Sequence, residues 1–252
     1  MLSKSQISLV KSLKQKKFRN QLGLFVVEGD KIVNELICSS YKVKEIYATQ
    51  NWIETNKAIL TSYKSEFQLN TINEKELNKL SFLKCPNGVL ALAYQNKAKE
   101  HKLFSGSTFA LDGIQDPGNL GTILRTLDWF GVSQLFALPN CVDQYNDKVV
   151  QASMGSIFRV EFIEISMEEL LNKYDSRLVL ADLGGDNIYN YKFNGNEIVI
   201  LGNEGSGLGE DLKKSVNKRV SIQKIGKAES LNVGISSAII CSEIIRQNSP
   251  LK

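Results

Sequence analysis

The sequence has few of the residues that build metal sites and disulfide frameworks. It contains four cysteines and one histidine among 252 residues. Cys38, Cys85, Cys141 and Cys241 are scattered and form no CxxC pair, which argues against a structural zinc site and against a disulfide framework. A Ser-His-Asp or Cys-His mechanism would depend entirely on His101, which lies in the polar segment KAKEHK.

Long apolar runs are also missing. No segment approaches the roughly 20 apolar residues that a membrane-spanning helix needs, so we expect no membrane partner. The N-terminus lacks the apolar core and small-residue cleavage site of a secretory signal. A mitochondrial presequence is also basic and free of acids, but the first predicted strand follows soon afterwards. We therefore expect a cytoplasmic protein.

Acidic residues are absent from the first 20 positions, which contain five lysines and one arginine. These six charges exceed the net charge of +4, so the remainder of the chain is slightly acidic. A local basic segment on a nearly neutral body is typical of phosphate contact. A solubilising tail or a solvated helix face explains it equally well.

The order of predicted elements indicates an α/β protein in two parts. Residues 5–18 have helical spacing, and strands and helices alternate from residue 24 to residue 95. In the second half, six short apolar runs alternate with helices, a pattern that favours a parallel sheet covered on both faces. We predict a basic N-terminal helix in residues 1–20, a small α/β domain in 21–97, a linker in 98–106 and a second domain in 107–252.

Polar segments follow the strands of the second half, at the edge where parallel sheets bind ligands. The first is DPGNLGTILRT, in which Pro117 and Gly118 predict a turn and Asn119 is expected to cap the next helix. Arg125 on that helix suggests a phosphate site near the helix N-terminus. A capped turn with a surface arginine explains the segment at least as well.

The second polar segment is LGNEGSGL, residues 201–208. Its glycines allow the backbone to approach a ligand closely, but their spacing matches neither the dinucleotide fingerprint nor the P-loop. Glu204 suits hydroxyls or amines better than phosphate.

The third polar segment is ESLNV, residues 229–233, which opens the last helix. Ser230 is the expected N-cap of that helix. Asn232 is then expected to be buried one turn into an apolar helix, where its amide needs partners.

Together the three segments resemble the motifs of the SpoU/TrmH family of ribose 2′-O-methyltransferases, within the SPOUT superfamily. The motifs are Asn119-x-Gly121 with Arg125, the glycine segment 201–208, and ESLNV at 229–233. Each is weak alone, but their order on a βα framework is highly specific. The resemblance covers about residues 107–247, and FVVEGDKIVNELI more loosely resembles the opening of the family's RNA-binding domain.

The resemblance implies a C-terminal methyltransferase domain with a deep trefoil knot, an exception to the usual absence of knots. It implies a homodimer whose active site is completed across the interface. S-adenosylmethionine would bind in the knot and leave as S-adenosylhomocysteine, with no metal. The residues implied to bind this donor are Ala181, Asp182, Leu201, Gly202, Gly207, Ile222 and Leu231.

The residues implied to act in catalysis are Arg125, Asn119, Glu204, Ser230 and Asn232. In relatives the arginine matching Arg125 has been proposed as a general base. Because arginine is very hard to deprotonate, the alternative is that Arg125 holds the adjacent phosphate while that phosphate or water accepts the proton.

Some positions depart from the family pattern. Gln223 replaces the proline that relatives often have there, and Gly234 and Ser236 stand where small residues are common. These departures concern the shape of the donor loop rather than the reaction.

The sequence therefore predicts an enzyme that methylates a ribose 2′-hydroxyl in structured RNA. Ribosomal RNA of the 23S type is favoured because of the added N-terminal domain, by family analogy rather than physics. The alternatives are a transfer-RNA 2′-O-methyltransferase and a non-catalytic RNA-binding protein on the same fold. A base-methylating SPOUT relative is disfavoured by ESLNV, and a dehydrogenase by the lack of GxGxxG after the first strand.

Overall fold

The computed structural model describes residues 2–63, 66–96, 106–203 and 205–248. It divides the chain into two compact units, Met1–Lys97 with Asp143–Phe158 and Ala98–Val142 with Arg159–Lys252. Apart from Gly106, the predicted linker 98–106 lies outside the described residues, as does His101.

The first unit is a four-stranded sheet in the order β1-β4-β2-β3. Strand β4 is antiparallel to β1 and β2, whereas β2 and β3 are parallel. The strands are β1 (Leu24–Glu28), β2 (Val43–Ala48), β3 (Gln68–Thr71) and β4 (Val89–Tyr94). The helices are α1 (Lys4–Ser12), α2 (Lys16–Leu22), α3 (Asp30–Ile37), α4 (Gln50–Thr55), α5 (Lys57–Ser62), α6 (Glu74–Leu80) and, from later in the chain, α8 (Asp147–Ser153).

The basic N-terminus differs from the single helix predicted over residues 5–18. It forms α1 and α2, which are separated at residues 13–15, and Gly23 ends α2 in a left-handed conformation. Val10 and Leu13 are buried in a core cluster with Leu77 and Leu90 of α6 and β4. The apolar side of this segment is therefore part of the first unit's core, not an appended helix.

Residues 143–158, which the sequence assigned to the second domain, belong instead to the first unit. The buried Arg19 donates from Nη2 to Asp143 Oδ2 at 2.5 Å. The rings of Phe25 and Tyr145 lie 4.5 Å apart between centroids, and α8 packs against β1. Helical periodicity predicted α8 correctly, but periodicity does not indicate which sheet a helix covers.

The second unit contains a six-stranded sheet in the order β10-β8-β9-β5-β6-β7, and every neighbouring pair is parallel. The parallel sheet predicted from short apolar runs is confirmed, and β5 and β9 are buried throughout. The strands are β5 (Thr108–Leu111), β6 (Gln134–Ala137), β7 (Glu161–Glu164), β8 (Leu178–Asn187), β9 (Ile198–Leu201) and β10 (Arg219–Ser221). The other helices are α7 (Pro117–Trp129), α9 (Met167–Tyr174), α10 (Glu210–Ser215) and α11 (Val233–Asn248).

Strand β8 is longer than predicted and irregular. Arg219 of β10 pairs with Leu180, but the next residue, Val220, pairs with Asp186. Residues 181–185 therefore have no counterparts on β10, and this part of β8 is free to shape a cavity. Within the described residues, the helices are too short or too polar to cross a membrane.

Candidate active site

A cavity of about 600 Å³ opens in the second unit beside the irregular middle of β8 and the carboxyl ends of β9 and β10. Its walls come from residues 181–183, 201–203, 205–208, 220–226 and 228–231 and from the first turns of α11. The volume is within the usual range for small-molecule sites. The position agrees with the rule that parallel sheets bind ligands beyond the carboxyl ends of their strands.

The residues that the sequence associated with the methyl donor come together here. All seven line this cavity: Ala181, Asp182, Leu201, Gly202, Gly207, Ile222 and Leu231. They come from separate stretches of the chain, at 181–182, 201–202, 207, 222 and 231, which the fold brings together at one edge of the sheet.

One side of the cavity is lined by apolar side chains, and the other side by an exposed stretch of main chain. Leu201, Leu208 and Val233 are buried and supply apolar walls. By contrast, every residue from 223 to 232 is exposed. The main-chain groups of 223–231 have no hydrogen-bond partner in the part of the chain that the structure describes, so they are available to a ligand.

The glycine segment folds back on itself. Asn203 and Gly207 exchange two main-chain hydrogen bonds of 3.0 and 2.9 Å, and Gly207 has a φ of 70°. A Cβ on Gly202 would lie 2.5 Å from the carbonyl carbon of Gly207. Any side chain at position 202 would collide with the main chain of Gly207, so this position requires glycine.

Two residues that the sequence did not single out hold this loop to the end of β5. The amide of Asn203 donates to the Gly113 carbonyl at 2.7 Å, and Asp112 accepts from the Gly209 main-chain N–H at 2.8 Å. Asp112 directly follows β5, and Asn203 lies two residues after β9. Polar residues just after buried strands were the available sequence signal.

Two of the predicted catalytic residues contact each other. Asn232 Nδ2 donates to Asn119 Oδ1 at 2.8 Å. Asn232 Oδ1 also accepts from the N–H groups of Gly234 and Ile235 at 2.9 and 3.3 Å. Asn232 is therefore the N-cap of α11 and is exposed. The prediction of Ser230 as the cap and of Asn232 buried within the helix is wrong, because α11 begins only at Val233.

The helix that carries Arg125 also begins earlier than predicted. Asp116 is the N-cap of α7, and its side chain accepts from the Asn119 N–H at 2.8 Å. Asn119 lies in the first turn, so the prediction that Asn119 is the cap is wrong. Its side chain is thereby left to face Asn232.

The other three predicted catalytic residues make no such contact with each other in the part of the chain that the structure describes. Ser230 lines the cavity. Arg125 is exposed on α7, outside the cavity lining, with no ion pair in the described residues. Glu204 lies outside the described residues.

The charges at the cavity are balanced locally. Asp182 accepts from Arg219 Nη1 at 3.1 Å, and Arg219 also donates to the Lys213 carbonyl at 2.8 Å.

Burial raises the pKa of the Cys141 thiol and raises that of Cys241 to about 12. Both thiols of the second unit are therefore neutral at physiological pH, and neither is an activated nucleophile.

Residues 106–242 match the model of the SpoU rRNA Methylase family, and residues 4–91 match an MRM3-like substrate binding domain. The chain belongs to the SpoU rRNA methylase family. All three sequence motifs lie within the matched region, so the resemblance drawn from them is confirmed.

Relatives of this SpoU-family chain match along nearly all of its length. The crystal structure of an AdoMet-bound rRNA methyltransferase from Sinorhizobium meliloti aligns with 99% of this chain and 97% of its own, at 26% identity and a TM-score of 0.87. A TrmH-family structure from Porphyromonas gingivalis aligns with 98% of this chain and 100% of its own, at 31% identity and a TM-score of 0.85. The 23S rRNA (guanosine(2553)-2′-O)-methyltransferase RlmP of Bacillus subtilis is 26% identical over 91% of this chain and 92% of its own length.

Proposed function

We propose that this SpoU-family chain methylates a ribose 2′-hydroxyl in ribosomal RNA, with S-adenosylmethionine as the donor. The observation that carries the proposal is the cavity at the sheet edge, which is lined by every residue expected at the donor site. The Bacillus subtilis relative is named as a 23S rRNA 2′-O-methyltransferase, and the Sinorhizobium meliloti structure is bound to AdoMet. Both names agree with this assignment.

The residues present fit such a donor. The apolar wall of Leu201, Leu208 and Val233 suits the faces of an adenine ring. The free main-chain groups of 223–231 suit its polar edge and the ribose hydroxyls. Glu229 lines the same cavity and suits the cationic groups of the molecule. When bound, the donor supplies a methyl group already activated on a sulfonium, so the protein need only position the substrate and remove a proton.

Asn232 supports the geometry of this step. Its side chain caps α11 and holds Asn119 on α7, while its main chain continues into Leu231 and Ser230 at the cavity. We infer that this link keeps α7 in a constant position relative to the donor loop. Ser230 is proposed to hydrogen-bond the substrate.

Arg125 is proposed to bind the phosphate next to the target ribose. Its side chain is exposed and has no acidic partner in the described residues, so its five N–H donors are available. The proton of the 2′-hydroxyl passes to that phosphate or to water, because a guanidinium is very hard to deprotonate. Glu204 is proposed, from the motif alone, to orient Arg125 and the ribose.

The proposal includes a trefoil knot in the second unit, a homodimer and a cytoplasmic location. Exposed apolar side chains favour the homodimer: Trp129 of α7 is 84% exposed and Ile235 of α11 is 53% exposed. A second copy of the chain packed on these helices would remove both side chains from water.

The test uses Arg125→Ala and measures methyl transfer to 23S rRNA transcribed in vitro. We expect transfer to fall about 100-fold or more, since the ribose is misplaced when the contact to its neighbouring phosphate is lost. Binding of S-adenosylmethionine, measured by calorimetry, should stay unchanged. The control is Arg159→Ala, which removes another surface arginine of the same unit, one paired with Asp128.

Near-normal transfer by Arg125→Ala would contradict the role of Arg125. Absence of donor binding by the unaltered protein would contradict the proposed function itself. Comparing 2′-O-methyl positions in cellular RNA with and without the protein would identify the nucleotide.

A further inference from the structure

Two tracts of the sequence without acidic residues meet on the first unit. Residues 1–27 and residues 77–99 contain no aspartate or glutamate. The Lys11 ammonium donates to the Ser81 carbonyl at 2.8 Å. The ammonium groups of Lys11 and Lys14 lie 5.3 and 5.7 Å from the centroid of the Phe82 ring. Lys84 is exposed two residues further along the chain. We call these basic and aromatic residues the Phe82 patch (Lys11, Lys14, Phe82 and Lys84).

The buried side chain of Glu28 fixes the main chain of the patch at Phe82. Glu28 at the end of β1 is 4% exposed. Its carboxylate accepts from the Ser81 hydroxyl and from the Phe82 N–H, the latter at 2.8 Å, and Ser81 Oγ accepts from the Leu83 N–H at 2.9 Å. Burial raises the pKa of Glu28. A buried carboxylate is costly, so its use here indicates that the main chain at Phe82 is held in one conformation.

The cations of the patch are available to a ligand. Lys11, Lys14 and Lys84 are exposed, and no ion pair joins them to an acidic side chain in the described residues. Helix α1 cannot move away easily, because Val10 and Leu13 anchor it in the core. Fixed lysines around an aromatic ring suit a chain that combines phosphates with flat bases.

We propose that the Phe82 patch binds the backbone of the RNA substrate, with phosphates on the three lysines and a base or ribose against Phe82. This inference rests on the proposed function, because it takes RNA as the substrate. It extends that function by assigning an anchoring surface on the first unit, on the face of the sheet that α1 and α6 cover.

The structure offers a matched control on the opposite face. Side chains alternate along a strand, so Leu24 and Val26 of β1 join the core under α1 and α6, whereas Phe25 and Val27 point the other way. Helix α3 packs against β1 and β4, and α5 packs against α3. Lys31 of α3 and Lys57 of α5 are exposed lysines on those helices.

The experiment compares Lys14→Glu/Lys84→Glu with the control Lys31→Glu/Lys57→Glu in the full chain. Affinity for 23S rRNA transcribed in vitro is measured at several salt concentrations. Because each lysine on a phosphate contributes about one to the slope of log affinity against log salt, we expect the patch variant to lose about two from that slope and at least roughly tenfold in affinity. The control should keep the slope and stay within about twofold.

Two further variants protect the test against misfolding. Lys11→Gln removes a charge but keeps a donor for the Ser81 carbonyl, and should lower the slope by about one. Phe82→Leu keeps an apolar side chain but removes the ring, and should weaken binding roughly tenfold without a change of slope, because stacking is not electrostatic. Circular dichroism must show unchanged folding.

Equal loss in the patch and control variants, or no loss in either, would overturn the proposal. Methyl transfer by the unaltered protein would be undiminished in that case, so the proposed function would stand. If the unaltered protein transfers no methyl group to RNA, the proposed function itself fails.

Discussion

Asn232 shows how one side chain can serve two elements. Its oxygen accepts two N–H groups at the start of α11, and its nitrogen donates to Asn119 of α7. Since the first contact stabilises a helix and the second connects two helices, the two roles can be separated by substitution.

Asn232→Ala should lower the free energy of unfolding by about 1 kcal/mol, because the cap is lost. Asn232→Asp keeps an oxygen for the cap but loses the N–H donor, so its stability should stay near that of the unaltered chain. Methyl transfer should fall in both variants. Thermal unfolding and a transfer assay distinguish these effects, and Asn119→Ala breaks the link between the two helices while leaving the cap of α11 in place. If Asn232→Asp is destabilised as much as Asn232→Ala, the capping role is wrong.

At the scale of elements, the basic N-terminus has a structural and a charged side. Its lysines face solvent, but Val10, Leu13 and Arg19 are buried. A deletion of residues 1–20 would therefore damage the core of the first unit as well as remove charge. Single charge substitutions are the cleaner way to test RNA contact by α1 and α2.

Arg19→Ala should destabilise the chain by about 3–5 kcal/mol, because it leaves Asp143, whose side chain is only 11% exposed, without its cation. The guanidinium also donates to the carbonyls of Leu13 and Lys14 at 2.9 Å, so α1 and α2 lose a shared contact. Urea unfolding measures the change. Lys17→Ala, at an exposed position of the same helix, should alter stability by less than about 0.5 kcal/mol. Similar values for the two variants would argue against the importance of the ion pair.

At the scale of the whole molecule, the two compact units do not coincide with the two domains that the sequence delimits. The family models match residues 4–91 and 106–242 as separate domains. Residues 143–158 nevertheless pack with the first unit, where Tyr145 contacts Phe25 and Phe158 contacts Tyr41. Residues 143–158, which follow β6 in the sequence, thus complete the first unit.

A fragment of residues 1–97 should consequently be less stable than the same unit in the full chain. It would expose Phe25 and Tyr41 and leave Arg19 unpaired. A second fragment, in which residues 143–158 follow residue 97 through a flexible linker, should regain cooperative unfolding. Thermal melts followed by circular dichroism compare the two fragments. Equal melting temperatures would mean that residues 143–158 contribute nothing to this unit.

Much of the fold and of the site could be predicted from the sequence. Strands such as TFAL and IVIL are continuous apolar runs, and the run itself indicates a strand buried on both faces. The residues proposed to bind the donor all line one cavity, and they were identified from the family motifs and from the ends of predicted strands. Periodicity, turn residues and motif order are local properties, and a sequence expresses them directly.

Only the tertiary structure decided which distant segments meet. It placed Asn119 against Asn232, Asp143 on Arg19, and Lys11 over Phe82. It also moved the start of α11 to Val233, so that Asn232 rather than Ser230 caps the helix. The three contacts between side chains join residues about 70 to 124 positions apart, and no local pattern specifies the partner of a side chain over such distances.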